Sequence, residues 1–222
     1  MPIGGSLSEG YAGVWATENT RDALVDAFKR KEVYSTTGPR ITLRFFGGFD
    51  FTSEDATGDI ASAGYTKGVP MGSNLVADGD KPPTLLAGVA KDPNGANLDR
   101  LQVVKGWVDS DGQAHEQIYD IAVSGERQIS DDGRAREPVG NTVDLETGEY
   151  TNTIGATQLT AAWTDPNFDP SQAAFYYIRA LEIPTPRYSL LDAIELGIDW
   201  EDTGHPPTIQ ERVYSSPIWF NP

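Results

Sequence analysis

The segment 34–41 (YSTTGPRI) holds the residues of this chain that are best suited to chemistry. The hydroxyls of Thr36 and Thr37 and the guanidinium of Arg40 suit anionic oxygens, for which the planar fork of arginine is well shaped. The Gly-Pro pair that follows the hydroxyls indicates a loop. We therefore predict that Tyr34, Thr36, Thr37 and Arg40 line a substrate rim or an interdomain contact. The alternative is that Tyr34 packs at a module boundary and Arg40 pairs with a carboxylate.

Two regular elements flank this loop and must position it. Residues 19–30 predict an amphipathic helix, because Ala23, Leu24, Ala27 and Phe28 recur at helical spacing and charges occupy the other face. Asn19 is the expected cap of this helix. Residues 41–46 are β-branched and aromatic, which predicts a strand. A helix, a polar loop and a strand in this order indicate the junction of two modules.

Other kinds of catalytic or metal site find little support in the sequence. His115 and His205 are the only two histidines, and neither lies in a metal-binding pattern. Residues 109–112 (DSDG) resemble part of a calcium loop, but the EF-hand spacing fails, and a turn explains them better. No serine lies in a Gly-x-Ser-x-Gly motif, and the carboxylate clusters are typical of solvated surface. We predict no metal, no cofactor and no catalytic residue in this chain.

The composition excludes several classes of partner. A formal net charge of −16 and a pI near 4.4 oppose binding to nucleic acid, which requires Lys and Arg to neutralise phosphates. The same acidity opposes binding to an anionic membrane. It fits a soluble protein in a saline or extracytoplasmic setting. The absence of cysteine leaves the compartment open, and no apolar run approaches the roughly 18 residues of a membrane span.

The remainder of the chain predicts a mostly β, α+β fold. Short apolar segments that alternate and are separated by turn signals predict a sandwich-like domain. The DSDG turn predicts a hairpin between residues 101–108 and 115–123, and residues 190–196 predict a short helix. Residues 52–83 predict a loop rich in Asp, Gly, Ser and Ala. We expect residues 1–38 to form the edge of an upstream module and residues 39–222 one β domain with a proline-rich C-terminal wrap.

Several strings along the chain resemble the bacterial family called domain of unknown function 3604. They are YAGVWA (11–16), ENTRDAL (18–24), YSTTGPRI (34–41), KDPNGANLDR (91–100), VVKGW (103–107), YTNTIGA (150–156), FYYIRALEIPTPR (175–187) and QERVYSSPIW (210–219). Members of this family are longer, and their N-terminal part resembles a metal-dependent hydrolase of the polymerase-and-histidinol-phosphatase type. The resemblance implies that this chain is the C-terminal portion of such a protein. It also implies that the loop at 34–41 lies near the rim of that module's metal site.

Two functions from different classes follow. The first is a non-catalytic structural part that supports or flanks the active site of the N-terminal hydrolase-like module, its expected partner. We then expect an apolar patch around the N-terminal helix, with Trp15 and Phe28 as members. The alternative is a carbohydrate- or surface-binding module that uses exposed aromatic rings. Trp107, Trp163 and Tyr177 are expected in the core, and Trp15, Trp200 and Trp219 at the surface.

We predict that the isolated chain binds no transition metal tightly, because its two histidines are scattered and it has no cysteine. Elemental analysis after dialysis should give far less than one zinc, manganese or iron per chain. Stoichiometric metal would instead assign a site to the carboxylate clusters.

Overall fold

A computed structural model describes residues 10–222 of the chain. Strands hold 38% of the residues and helices 16%, which confirms the predicted mostly β fold. The helices are α1 (Arg21–Lys29), α2 (Ser53–Thr57), α3 (Ile60–Lys67) and α4 (Tyr188–Leu196), and a short 3₁₀ helix spans Trp200–Thr203. The strands are β1 (Tyr11–Val14), β2 (Val33–Thr36), β3 (Thr42–Gly48), β4 (Gly68–Pro70), β5 (Asn74–Val76), β6 (Thr84–Ala90), β7 (Leu98–Val108), β8 (Ala114–Val123), β9 (Gln158–Thr164), β10 (Ala174–Glu182), β11 (Thr185–Pro186), β12 (Thr208–Ile209), β13 (Arg212–Ser215) and β14 (Ile218–Asn221).

The larger of two main sheets has eight strands and is organised around β10. One edge of β10 pairs antiparallel with β7, which forms the predicted hairpin with β8. The other edge of β10 pairs with β13 near its C-terminal end and with β14 near its N-terminal end. Strands β2 and β1 extend the sheet beyond β13, and β5 pairs parallel to β14. β10 therefore contacts three strands from distant parts of the chain.

The smaller sheet is antiparallel in the order β4-β3-β6-β9 and faces the larger one. Alternate side chains of β3 and β6, such as Leu43, Phe45 and Leu85, pack in one buried cluster with Val103 and Ile178 of the larger sheet. Since each strand presents every second residue to the same face, the alternation of the sequence builds the sandwich core.

Helices α2 and α3 cover the outer face of the smaller sheet, in the segment where the sequence predicted a loop. That prediction was wrong. The small and polar residues of this segment are typical of a loop, but side-chain caps stabilise the first turn of each helix. Thr52 and Asp55 form a capping box, and the Asp59 carboxylate accepts from the Ser62 amide at 3.1 Å. Gly64 lies against the ring of Phe46, where a Cβ atom would come within 2.4 Å of the ring. Gly64, in a segment whose composition predicted a loop, thus allows the helix to pack closely on the sheet.

Helix α1 is confirmed, although it begins later than predicted. Thr20, rather than Asn19, is the N-cap, and its hydroxyl accepts from the Ala23 amide at 3.4 Å. Of the residues in this helix, Ala27 is buried, whereas Phe28 is 53% exposed. Strand β2 follows the helix and pairs with β13, so the N-terminal elements join the larger sheet. The proposed division at residue 38 stays a prediction.

A buried ion pair lies inside the sandwich. The Lys105 ammonium donates to the Asp165 carboxylate at 2.6 Å and to the Asn167 carbonyl at 2.7 Å. The Tyr176 hydroxyl donates to the same carboxylate at 2.7 Å, and its pKa is raised, first by burial and then by Asp165. The side chains of Lys105 and Asp165 are 4% and 0% exposed, so each charge depends on the other for compensation.

We predict that Asp165→Asn lowers the free energy of unfolding by about 3–5 kcal/mol, because it leaves the Lys105 charge buried without its counter-ion. Urea denaturation measures this loss. The matched control is Asp26→Asn, which removes the exposed pair with Lys29 and should change stability by no more than about 0.5 kcal/mol. Equal effects of the two substitutions would contradict the prediction.

Candidate functional site

The four residues predicted as a site occupy two different environments. Tyr34 and Thr36 lie on β2 and are partly or fully buried, whereas Thr37 and Arg40 follow the strand at the end of the sheet. The structure therefore places Thr37 and Arg40 at one edge of the sandwich, whereas the side chains of Tyr34 and Thr36 are partly or fully buried on β2.

Tyr34 packs beneath the N-terminal elements, as the alternative interpretation expected. Its ring lies 6.2 Å from that of Trp15 and against Gly13, where a Cβ atom would approach the ring to 2.2 Å. Burial raises the pKa of the Tyr34 hydroxyl, against a smaller opposing effect of Arg44. Thr36 is 6% exposed, and its hydroxyl has no hydrogen-bond partner among residues 10–222. Both residues are therefore poorly placed to reach a substrate.

Thr37 and Arg40 are held by residues from distant segments. The Thr37 hydroxyl donates to the Glu211 carboxylate and accepts from the Arg212 amide at 2.9 Å. The Arg40 amide donates to the Asp92 carboxylate at 2.7 Å. The guanidinium of Arg40 lies 5.7 Å from the centre of the Tyr11 ring, and the residue is exposed. The backbone at Arg40 is thus anchored while its charged group faces solvent.

A buried glutamate that sequence reasoning missed lies next to this loop. Glu182, the last residue of β10, is 1% exposed, and one of its carboxyl oxygens, Oε1, has no hydrogen-bond partner within the described chain. Its pKa is raised to about 8, first by burial and then by the negative charges of Glu211 and Asp92, against a smaller effect of Lys91. At neutral pH, Glu182 is therefore mainly a neutral carboxylic acid.

Further contacts connect Glu182 to its surroundings. The Gln210 side-chain amide donates to the Glu182 carbonyl and to the buried carboxylate of Asp99, both at 2.8 Å. Arg127 also donates to the Asp99 carboxylate, at 2.7 Å. The Lys91 ammonium donates to the carbonyl of Gly95 at 2.5 Å. The region that contains Thr37, Arg40, Lys91, Asp92, Glu182 and Glu211 is hereafter the Glu182 edge.

The period of β10 is the signal that could have identified Glu182. Every second residue of β10 faces the core, namely Ala174, Tyr176, Ile178 and Ala180. The same two-residue spacing leads to position 182. An acidic residue at an inward position predicts a buried carboxyl group. No comparable signal in the sequence indicates Asp92 or Glu211, because only the fold brings them together.

Residues 10–222 contain no group of three or more His, Cys, Asp or Glu side chains arranged to hold a metal ion. His115 instead contacts the Asp109 carboxylate at 2.6 Å and stacks on Trp107, and the ring of His205 lies 6.5 Å from that of Tyr188. The residues present do not fit the metal centre that the resemblance implies for the hydrolase-like module. Nor is any helix in the described range long and apolar enough to cross a membrane.

The family model described as "Protein of unknown function (DUF3604)" matches residues 4–222. The chain belongs to this family. No curated protein and no solved structure matches it. Several strings by which it resembles DUF3604 meet at the Glu182 edge. Thr37 and Arg40 come from one, Lys91 and Asp92 from a second, Glu182 from a third and Glu211 from a fourth. The fold thus brings together segments that lie far apart in this DUF3604 chain.

We predict that the wild-type chain loses stability between about pH 4.5 and about pH 8, the ordinary and the raised pKa of Glu182. Within this window the folded state binds a proton that the unfolded state releases, so the free energy of unfolding falls as pH rises. Each unit of pKa difference corresponds to about 1.4 kcal/mol. Glu182→Gln removes this dependence and should stabilise the protein most above pH 8. Thermal melts over this pH range test it.

Glu146→Gln is the control for this experiment, because Glu146 is exposed. Its melting temperature should follow that of the wild type at every pH. If Glu182→Gln also follows the wild type, Glu182 does not hold a proton in the folded state.

Proposed function

We propose that this chain is the non-catalytic C-terminal structural part of a metal-dependent hydrolase-like protein, and that its Glu182 edge flanks the active site of the N-terminal hydrolase-like module. The chain contributes no metal ligand in this proposal. It contributes a rigid edge that places one arginine beside an anionic substrate, such as a phosphoester.

The observation that carries the proposal is the state of Arg40. Its backbone amide is fixed by Asp92, while its guanidinium is exposed above the Tyr11 ring. An anchored backbone lowers the cost of ordering the side chain when an anion binds. The five N–H groups of a guanidinium then bind carboxylate or phosphate oxygens in a fixed geometry. The pKa of Asp92 is lowered by the bond from the Arg40 amide, then by that from the Asn94 amide, and to a smaller extent by the Arg40 charge, while Arg40 stays exposed.

Exposed apolar side chains of the N-terminal elements support the proposal that a partner module packs against this chain. Tyr11 is 49% exposed, Val25 is 43% exposed and Phe28 is 53% exposed. Phe28 was expected in such a patch. Trp15 was expected as well but packs inward, because its indole N–H donates to the Leu43 carbonyl at 2.7 Å. These residues come from the segment that we predicted as the edge of the upstream module.

We predict that Arg40→Ala, in a polypeptide that joins this chain to its hydrolase-like module, lowers the turnover of p-nitrophenyl phosphate by at least about tenfold. Arg40→Lys should recover part of the turnover, because it keeps the charge but loses the planar fork. In this chain alone, Arg40→Ala should change the free energy of unfolding by no more than about 0.5 kcal/mol. Steady-state kinetics and urea denaturation measure the two effects.

The control is Arg134→Ala, which removes an exposed arginine outside the Glu182 edge and should leave turnover unchanged. Normal turnover with lost stability in Arg40→Ala would assign Arg40 to an interdomain ion pair. If the joined polypeptide hydrolyses no phosphoester with any divalent metal, the proposed substrate class is wrong.

A further inference from the structure

The outer face of the larger sheet carries a row of four aromatic rings. Trp219 of β14 is followed by Phe175 and Tyr177 of β10 and then by Tyr214 of β13. Successive ring centres are 5.2, 6.4 and 6.5 Å apart. The planes of Phe175 and Tyr177 differ by 10°, whereas Trp219 is tilted by 51° from Phe175 and Tyr214 by 44° from Tyr177. We call these four residues the aromatic row.

The aromatic row points away from the core because of the alternation of its strands. Tyr176 and Ile178 are fully buried, whereas Phe175 and Tyr177 between them are only partly buried. Trp219 is 44% exposed, as the sequence predicted. Tyr177 was expected in the core, and that prediction was wrong, because its odd-numbered position on β10 faces outward. Helices α2 and α3 pack on the smaller sheet and do not cover these rings.

Gly106 of β7 allows Phe175 to lie flat on the sheet. The two residues are register partners, and a Cβ atom on Gly106 would come within 2.2 Å of the Phe175 ring. Any larger residue at position 106 must move the ring. The position of the Phe175 ring on the sheet therefore depends on one residue of the neighbouring strand.

A groove of about 500 Å³ adjoins the Trp219 end of the row. Val108 and Ala114 contribute apolar surface to its lining, and Glu116 and Asn221 contribute polar groups. The pKa of the Tyr177 hydroxyl is raised by burial and then by Glu116, so this negative charge lies beside the row. Apolar rings bordered by a carboxylate and an amide suit a ligand with apolar faces and hydroxyl-rich edges.

Charge and shape distinguish between the ligands that such a row can hold. Single-stranded nucleic acid also stacks on aromatic rings, but it requires a positively charged groove, whereas this chain carries a net charge of −16. A stable protein interface requires a broad apolar centre, whereas the charges of Glu116 and Arg179 lie beside this row. An extended glycan presents one sugar ring after another, and its C–H faces pack on aromatic rings.

We propose that the aromatic row and the adjoining groove bind an extended, uncharged glycan. Its sugar rings stack in succession on Trp219, Phe175 and Tyr177, and its hydroxyls bond to Glu116 and Asn221. This function uses a different surface from the Glu182 edge and is independent of the hydrolase-like module.

The test titrates the full chain with three neutral hexasaccharides: β-1,4-glucan, β-1,4-xylan and α-1,4-glucan. We expect at least one to bind in isothermal titration calorimetry, with an affinity that rises from the disaccharide to the hexasaccharide. Trp219→Ala should weaken this binding by at least about tenfold. Trp200→Ala is the matched control, because Trp200 lies on the 3₁₀ helix outside the row, and it should bind as the wild type does. Gly106→Ala, which keeps every ring but displaces Phe175, should also weaken binding.

Several outcomes would overturn the proposal. One is binding of none of the three hexasaccharides, and another is equal loss in the Trp219 and Trp200 variants. Binding only of oligogalacturonate or of oligo-dT would assign the row to an anionic ligand. A dimer in light scattering that Trp219→Ala dissociates, with no binding of glycan, would assign it to a second copy of this chain. Circular dichroism of each variant separates lost binding from lost folding.

Discussion

The two-residue period of β10 is the constraint on which the rest of the structure depends. Its even-numbered side chains fill the core between the two sheets, and its odd-numbered aromatic residues form part of the aromatic row. Its backbone pairs with β7 on one side and with β13 and β14 on the other. A shift of one residue in its register would exchange the two faces, burying Arg179 and exposing Tyr176. The core, the aromatic row and the Glu182 edge therefore share one register.

At the Glu182 edge, the end of strand β10 holds a buried carboxyl group with a raised pKa. Glu182 ends β10, and its carboxyl group is buried beside the turn at Gly95. A charged carboxylate there would lack a partner for one oxygen and would face Asp92 and Glu211. Protonation removes the cost of burying that charge. The same turn contains Asp92, which fixes the backbone at Arg40. The turn beside the buried Glu182 carboxyl group thus also holds the backbone of the exposed Arg40.

Elements with a clear two-residue period were predictable from the sequence. β7 (Leu98–Val108) and β8 (Ala114–Val123) include residues 101–108 and 115–123, where the sequence predicted the two strands of a hairpin around the DSDG turn. α2 and α3 were missed because their small and polar residues resemble loop composition, and because the packing of Gly64 on Phe46 depends on the assembled sheet. Local sequence cannot show that a glycine is required by a tertiary contact.

The candidate site was predictable only in part, for the same physical reason. The residue types of Thr37 and Arg40 indicated binding chemistry, and the structure places both at one edge. Tyr34 and Thr36 instead lie on β2 with partly or fully buried side chains, whereas Thr37 and Arg40 follow the end of the strand. Asp92 and Glu211 are brought to this edge by long-range pairing that no local pattern encodes. Glu182 was indicated by the period of β10 but was overlooked, because an acidic residue is usually taken as exposed.

The protonation of Glu182 can be measured directly, and it tests the buried neutral carboxyl group at the centre of the Glu182 edge. The ¹³C chemical shift of its side-chain carboxyl carbon, followed by NMR from about pH 4 to about pH 10, reports the charge of this group alone. We predict a single titration with a midpoint near pH 8, in agreement with a pKa raised to about 8. A midpoint near the ordinary glutamate value of about 4.5 would contradict this prediction, because Glu182 would then be charged at neutral pH and accessible to water.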